Sequence, residues 1–115
     1  MNILFRRITA DPHPFVLEKN GVRFEGTLRK YRSALVLLEA TMQGSLDVDC
    51  YLCGDSFAIM PDEKVEFLIS DGVFHGQDET YDVVEMHGDA IDLDEVLDSE
   101  IALIESDYHA CPKCR

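Results

Sequence analysis

The chain has 115 residues, of which 46% are hydrophobic and 29% are charged, and its formal net charge is −13. This length and apolar content predict a single domain, residues 1–115, with a hydrophobic core, and they exclude a wholly disordered chain. Residues 1–60 are neutral overall, whereas residues 61–115 carry sixteen acidic and three basic side chains. Because phosphate neutralisation needs basic side chains, the C-terminal half is not expected to bind a nucleic-acid backbone.

Short alternating or apolar runs predict several β-strands before residue 90. Residues 22–29 alternate between apolar and polar side chains, which is the period of a half-buried strand, and the apolar run 34–38 predicts a more buried strand. The other predicted strands span residues 3–8, 46–50, 57–60, 65–69 and 81–86. We expect a turn at 11–14, a hairpin that joins 57–60 to 65–69, and a mobile loop over 71–80.

One amphipathic helix is predicted to begin after Asp92. Asp92 and Glu95 resemble a capping box with aspartate in the cap role. The helix should pack its apolar stripe on the sheet, and that stripe consists of Leu93, Val96, Leu97, Ile101 and Ile104. Many strands followed by one terminal helix predict an α+β fold with a mainly antiparallel sheet, either open or curled into a barrel.

The four cysteines form two Cys-x-x-Cys pairs, Cys50 with Cys53 and Cys111 with Cys114, separated by 57 residues. Two intervening residues let both sulfurs of one turn reach a single ion, and four thiolates suit a structural zinc site. One shared ion would clip the C-terminal segment onto the middle of the domain and leave no open coordination position. The alternatives are cysteines that bind no metal or only part of a site, disulfides with three possible connectivities, and a thiol-redox pair.

The expected compartment favours metal binding over disulfides. Residues 1–10 contain only a short apolar run, without the core of a secretory signal, and no stretch reaches the roughly 18 apolar residues of a membrane helix. We therefore expect a cytoplasmic protein with no membrane partner, in which thiols stay reduced. Zinc, rather than iron, is predicted because it is the usual structural metal.

The chain carries Cys50 and Cys53, then the helix-opening segment 88–93, and then Cys111 and Cys114. In this order of motifs it resembles the YceD family, the large ribosomal RNA subunit accumulation proteins. The resemblance covers residues 22–115 and implies a small bacterial or organellar factor that supports 23S ribosomal RNA accumulation and large-subunit assembly, without established catalytic chemistry. The chain differs from the family at Leu52, where arginine is common, and at Ser106, where a proline commonly follows the helix. The matching positions are Cys50 and Cys53, Cys111 and Cys114, and the helix-opening residues Gly88, Asp89, Ile91, Asp92 and Leu93.

The chain is accordingly predicted to be a non-enzymatic ribosome-biogenesis factor, with a thiol-redox protein as the alternative. It contains no Gly-rich phosphate loop, nucleophile elbow or His-Glu-x-x-His motif, so we expect no catalytic residues and no small-molecule substrate.

Two surfaces are candidate partner sites. The outer helix face should bind a basic ribosomal or assembly protein through three carboxylates, those of Asp94, Asp98 and Glu105. A basic cluster around an aromatic residue is the place where contact with ribosomal RNA is chemically reasonable, and it consists of Arg29, Lys30, Tyr31 and Arg32. The simpler interpretations are a solvated helix face and a solvated strand end.

Overall fold

The computed structural model describes residues 1–32, 34–76 and 80–115. Two short 3-10 turns lie at Phe5–Arg7 and Pro112–Cys114. Within the described residues, the strands are β1 (Asn2–Leu4), β2 (His13–Lys19), β3 (Val22–Arg32), β4 (Leu35–Gly44), β5 (Leu46–Asp49), β6 (Ser56–Ile59), β7 (Asp62–Asp71), β8 (Val83–Met86) and β9 (Ala90–Asp92), and they are followed by the helix α1 (Leu93–Glu105).

The main sheet has five strands in the order β2-β3-β4-β7-β8. All neighbours are antiparallel except β7 and β8, which are parallel. Asn20 and Gly21 connect β2 to β3 with φ values of 53° and 82°, as a tight type I′ hairpin requires. The predicted turn at 11–14 is wrong in its second half, because His13 and Pro14 already belong to β2. Proline is tolerated there because β2 is an edge strand.

The predicted hairpin between 57–60 and 65–69 is wrong. Strand β6 pairs with β5, from Leu46 opposite Ile59 to Asp49 opposite Ser56. Strand β7 pairs instead with β4. Residues 35–38 at the start of β4 are buried on both faces, as predicted, whereas Ala34 is exposed and lies before the strand. Because water does not reach the backbone of such a buried strand, its N–H and C=O groups need hydrogen-bond partners at both edges. The long β4–β7 ladder satisfies that need, and β5 and β6 are left to form a separate two-stranded sheet.

The helix covers the inner face of the main sheet. It begins after Asp92, whose Oδ1 accepts a hydrogen bond from the Glu95 backbone N–H at 3.1 Å, which confirms the predicted cap. The apolar stripe is buried against the sheet except for Ile104, which is half-buried. Strands β1 and β9 pair beside the helix and bury Ile91 in the same core. The first strand is shorter than predicted, because residues 5–7 turn away as a 3-10 helix.

The outer face of the main sheet is mostly polar, with a small apolar cluster at one end. Leu35, Leu37 and Leu68 are buried there, and Phe74 and Tyr81 pack over them from the segment between β7 and β8. Of the loop predicted over 71–80, residue 71 belongs to β7, and residues 77–79 lie outside the described part of the chain.

These elements confirm the α+β fold with a mainly antiparallel sheet and one C-terminal helix. The barrel alternative is wrong, because β2 and β8 remain the two edges of the main sheet with no pairing between them in the described residues. No helix in the described ranges is long and apolar enough to cross a membrane.

Candidate metal centre

The first cysteine pair lies in the turn that joins β5 to β6. Buried Leu46 and Val48 hold β5 against the protein, and the chain leaves the strand at Cys50. The turn closes through two backbone hydrogen bonds, from the Cys50 N–H to the Asp55 carbonyl at 2.8 Å and from the Gly54 N–H to the Cys50 carbonyl at 2.9 Å. Gly54 has φ of +80°, which a residue with a Cβ adopts only under strain. This glycine therefore fits the sharp turn that brings the two sulfurs together.

The second pair lies in a 3-10 turn that begins with Pro112. The Cys114 N–H donates to the Cys111 carbonyl at 2.9 Å, so the spacing of two residues again closes one tight turn. The segment before it is fixed at two points. Residue His109 forms an isolated parallel β-bridge with Cys50, and its carbonyl accepts a hydrogen bond from the Tyr51 N–H at 3.0 Å.

The four sulfurs meet in one cluster. The Sγ atoms of Cys50, Cys53, Cys111 and Cys114 all lie within 4.8 Å of one another. The Sγ atoms of Cys53 and Cys111 are 3.6 Å apart. Four sulfurs that each lie about 2.3 Å from a central zinc ion would be about 3.8 Å apart, whereas disulfide sulfurs are about 2.05 Å apart. The cluster thus has the spacing of a four-thiolate metal site, and all four cysteines are free thiols.

The hydrogen bonds at the cluster affect its thiols in opposite directions. The Cys111 N–H, aided by those of Cys53 and Leu52, lowers the pKa of Cys50 from 9.0 to about 6 against the opposing effect of burial. The neighbouring sulfurs, that of Cys111 first, raise the pKa of Cys114 to about 12. For Cys53, a hydrogen bond from the Asp55 backbone N–H lowers the pKa, but contacts with the sulfurs of Cys50 and Cys111, together with burial, outweigh it and raise the value.

A metal ion would relieve this conflict, because it stabilises all four thiolates together. Cys50 and Cys111 are buried, with 3% and 2% of their surface exposed. Cys114 is half-buried and Cys53 is exposed. Four thiolates would fill the tetrahedral coordination of one ion and leave no position open for a substrate, which is the arrangement of a structural site rather than a catalytic one. The residues present therefore fit a metal, and the predicted ligand set is brought together in full.

Two contacts that the sequence did not indicate support the cysteine cluster. The Lys113 ammonium group lies 2.9 Å from the Asp55 carboxylate and joins the two cysteine turns. The Nε2 of His109 donates to the Ile104 carbonyl at 2.6 Å, so this half-buried side chain is tied to the end of α1 and lies outside the sulfur cluster. Nothing in the sequence around His109 indicates this role.

The structure places the predicted acidic partner residues along α1, but it pairs two of them internally. Asp94 contacts the amino group of Met1, and this hydrogen bond lowers the pKa of the carboxyl. Asp98 lies 2.9 Å from the ammonium group of Lys19. Glu105 is exposed and has no ion pair with a described residue. The outer helix face is therefore less negative than its sequence indicates.

The basic cluster lies at the end of β3, apart from the cysteines. Arg29 lies 3.4 Å from the carboxylate of Glu39, and Lys30 is exposed. The Arg32 guanidinium lies 5.7 Å from the centre of the Tyr31 ring. A register shift between Lys30 and Arg32 interrupts the ladder here and changes which side chains share a face.

Comparisons of the chain with protein-family models, with curated proteins and with solved structures find no match. The YceD family is thus not identified by these comparisons, and the resemblance remains a prediction that depends on the cysteine pairs and the segment before the helix.

Proposed function

We propose that this protein is a non-enzymatic binding protein, folded around a structural zinc ion, that supports 23S ribosomal RNA accumulation and assembly of the large ribosomal subunit. The observation that carries the zinc site is the meeting of four sulfurs within 4.8 Å from segments about sixty residues apart. The ribosomal role is supported by the YceD resemblance in the same cysteine pairs and in the residues that open α1.

The zinc would act as a cross-link. The β5–β6 hairpin forms a sheet of its own, without hydrogen bonds to another strand in the described residues. The ion would tie this hairpin to the C-terminal segment, and because the unfolded chain lacks the site, its binding free energy would contribute to folding. The result would be a rigid surface for partners rather than a reaction centre.

The first experiment measures metal content in protein purified without added metal. One zinc per chain, lost together with folding stability when a chelator is added, is the expected result. Protein without stoichiometric metal, whose cysteines instead cycle between thiol and disulfide, would favour the thiol-redox alternative.

The second experiment tests the ribosomal role in cells that lack the protein. We expect less 23S ribosomal RNA and a smaller large-subunit peak in a sucrose gradient, restored by the wild-type chain and not by a chain in which Cys50 and Cys53 are serine. Normal large subunits in the depleted cells would contradict the proposed function.

Partner choice is tested by binding to ribosomal RNA and to large-subunit proteins over a salt series. With −13 of net charge in residues 61–115, binding to bare RNA should be weak, and binding to a basic protein should be stronger and sensitive to salt. Neutral substitutions at Asp94, Asp98 and Glu105 should slow association with the protein, and alanine at Arg29 and Arg32 should change it less. Tight RNA binding abolished by the arginine substitutions would indicate direct RNA recognition.

A further inference from the structure

A groove of about 600 Å³ lies between α1 and strands β7 and β8, away from the cysteines. Its floor is apolar and includes the buried side chains of Val65, Phe67 and Met86. Two apolar side chains at its border are exposed, Val84 with 41% of its surface and Leu103 with 66%. Leu103 lies off the buried stripe of α1, so packing within the chain does not explain a leucine at this position. A groove of this size and composition is typical of a binding site.

The rim of the groove is strongly acidic. Seven of its lining residues are aspartate or glutamate and one is lysine. That lysine, Lys64, already lies 2.7 Å from the carboxylate of Glu66. Glu63 on β7 and Glu100 on α1 carry like charges, and neither forms an ion pair with a described residue. Burial, and then the charge of Glu63, raise the pKa of Glu100, so a cation brought between them would be favoured.

The walls of the groove decide the shape of the occupant. One wall is the side of α1, and the other is formed by residues 63–67 of β7 and residues 84–86 of β8. Strand β8 pairs only with residues 68–71, so the groove also borders a stretch of β7 edge that has no strand partner in the described residues. The α1 wall favours a helical occupant, because its lining residues Val96, Ser99 and Leu103 lie at spacings of three and four residues, the ridge against which a second helix packs. A helix with an apolar stripe flanked by lysine or arginine matches both the apolar floor and the acidic rim.

We propose that this groove binds a basic amphipathic helix of a partner protein, with apolar side chains on Val84, Leu103 and the floor, and lysine or arginine side chains beside Glu63 and Glu100. The inference deepens the proposed function, since it locates the surface where a basic assembly partner would dock. It adds a docking surface on the side of α1 that faces β8 to the one proposed on the outer face of the helix.

The test uses the zinc-loaded full chain and a labelled synthetic peptide of about 18 residues, with leucine at helical spacing and lysine at the flanking positions. Fluorescence anisotropy should show binding that weakens about three- to tenfold when Glu63→Gln and Glu100→Gln are combined at low salt. The matched control combines Asp11→Asn and Asp47→Asn, which remove the same charge from exposed carboxylates outside the groove. It should change affinity by less than about twofold.

The apolar half of the proposal has its own pair of variants. Leu103→Ser should lower the affinity for the peptide about tenfold at low and at high salt, because it removes apolar area rather than charge. Met60→Ser is the control, since Met60 is 85% exposed and does not line the groove. A peptide with two central prolines should bind much more weakly, because it cannot form the helix.

Several results would overturn the inference. Equal losses of affinity in the Glu63 and Glu100 variant and in its control would mean that the peptide is attracted to the whole acidic protein. Undiminished binding of the proline peptide would mean that the bound peptide is extended. A homodimer that Leu103→Ser dissociates would make a second copy of the chain the occupant. Peptide binding needs no ribosome, so it tests the groove separately from the ribosomal role. If the protein binds the peptide but cells that lack the protein make normal large subunits, the proposed function is contradicted and the groove is not.

Discussion

The backbone N–H of Cys111 donates a hydrogen bond to the Sγ of Cys50 at 3.4 Å, across 61 positions of the sequence. The contact joins the two cysteine pairs directly, and it is also the largest cause of the lowered pKa of Cys50. A backbone donor aimed at a sulfur favours the thiolate, which is the form that binds a metal. The fold therefore prepares Cys50 for metal, whereas contacts with neighbouring sulfurs oppose the ionisation of Cys53 and Cys114 until an ion is present.

The first prediction concerns the protons that metal binding releases. At pH 7.5, Cys53 and Cys114 should be thiols in the metal-free protein, because their pKa values are raised, that of Cys114 to about 12. Zinc binding should therefore release at least two protons per chain, and zinc affinity should fall as the pH falls. Titration calorimetry in buffers of different ionisation enthalpy measures this number. Release of no protons would mean that the four thiols do not bind the ion.

A second prediction separates a ligand from its neighbour. Cys114→Ser removes one of four sulfur ligands and should weaken zinc binding by more than about a hundredfold, which exceeds the usual effect of a residue that only contacts a ligand. Lys113→Ala is the matched control in the same turn. Its ammonium group is exposed and pairs with Asp55, so its loss should change zinc affinity by less than about threefold. Competition with a chelator of known affinity measures both. Similar losses in the two variants would contradict the assigned ligand set.

A third prediction concerns the C-terminal segment. Removal of residues 110–115 should lower the unfolding temperature by several degrees, because it opens the cross-link between the hairpin and the end of the chain. The control is the same comparison in the presence of a chelator, where most of the difference should disappear. An unfolding temperature unchanged by the truncation would show that the last six residues form a free tail.

A fourth prediction uses the pH dependence of Glu100. Burial, and then the charge of Glu63, raise its pKa in the folded protein above 4.5. The folded state is therefore favoured while this carboxyl is protonated, and this contribution is lost as the pH rises through the raised value. Glu100→Gln should raise the unfolding temperature at pH 7 and leave it unchanged below about pH 4. Scanning calorimetry at the two pH values measures the difference.

Glu100→Gln should also weaken binding of the basic peptide, so the stability of the protein and its affinity for the peptide should change in opposite directions. A variant destabilised at pH 7 would show that Glu100 has a stabilising partner and that the groove does not need a cation there.

Local patterns predicted the parts of the fold that depend on neighbouring residues. The cap at Asp92 follows from its own side chain, the buried stripe of α1 from the helical period, and the strand β3 from its alternation. The composition of the metal site was also readable, because each Cys-x-x-Cys pair closes within one turn of the backbone.

Pairing between distant strands was not readable in this way. The run that became β6 looked like a partner for β7, its nearest neighbour in sequence, yet it pairs with β5. The partner of β6 depends on β4, because β7 pairs with the second edge of β4 and is no longer available to β6. Since strand pairing is decided by burial over the whole sheet, a local pattern predicts that a strand exists but does not predict its partner.

The sequence by itself determined the four thiols, the two tight turns, the capped helix and the excess of acid in the second half of the chain. Only the tertiary structure decided that the two cysteine pairs meet, that Asp94 and Asp98 are paired with cations, and that Glu63 and Glu100 border an apolar groove. The physical reason is distance along the chain. Charge and turn geometry belong to neighbouring residues, whereas a shared metal site, an ion pair or a groove requires segments that only burial of the common core brings together.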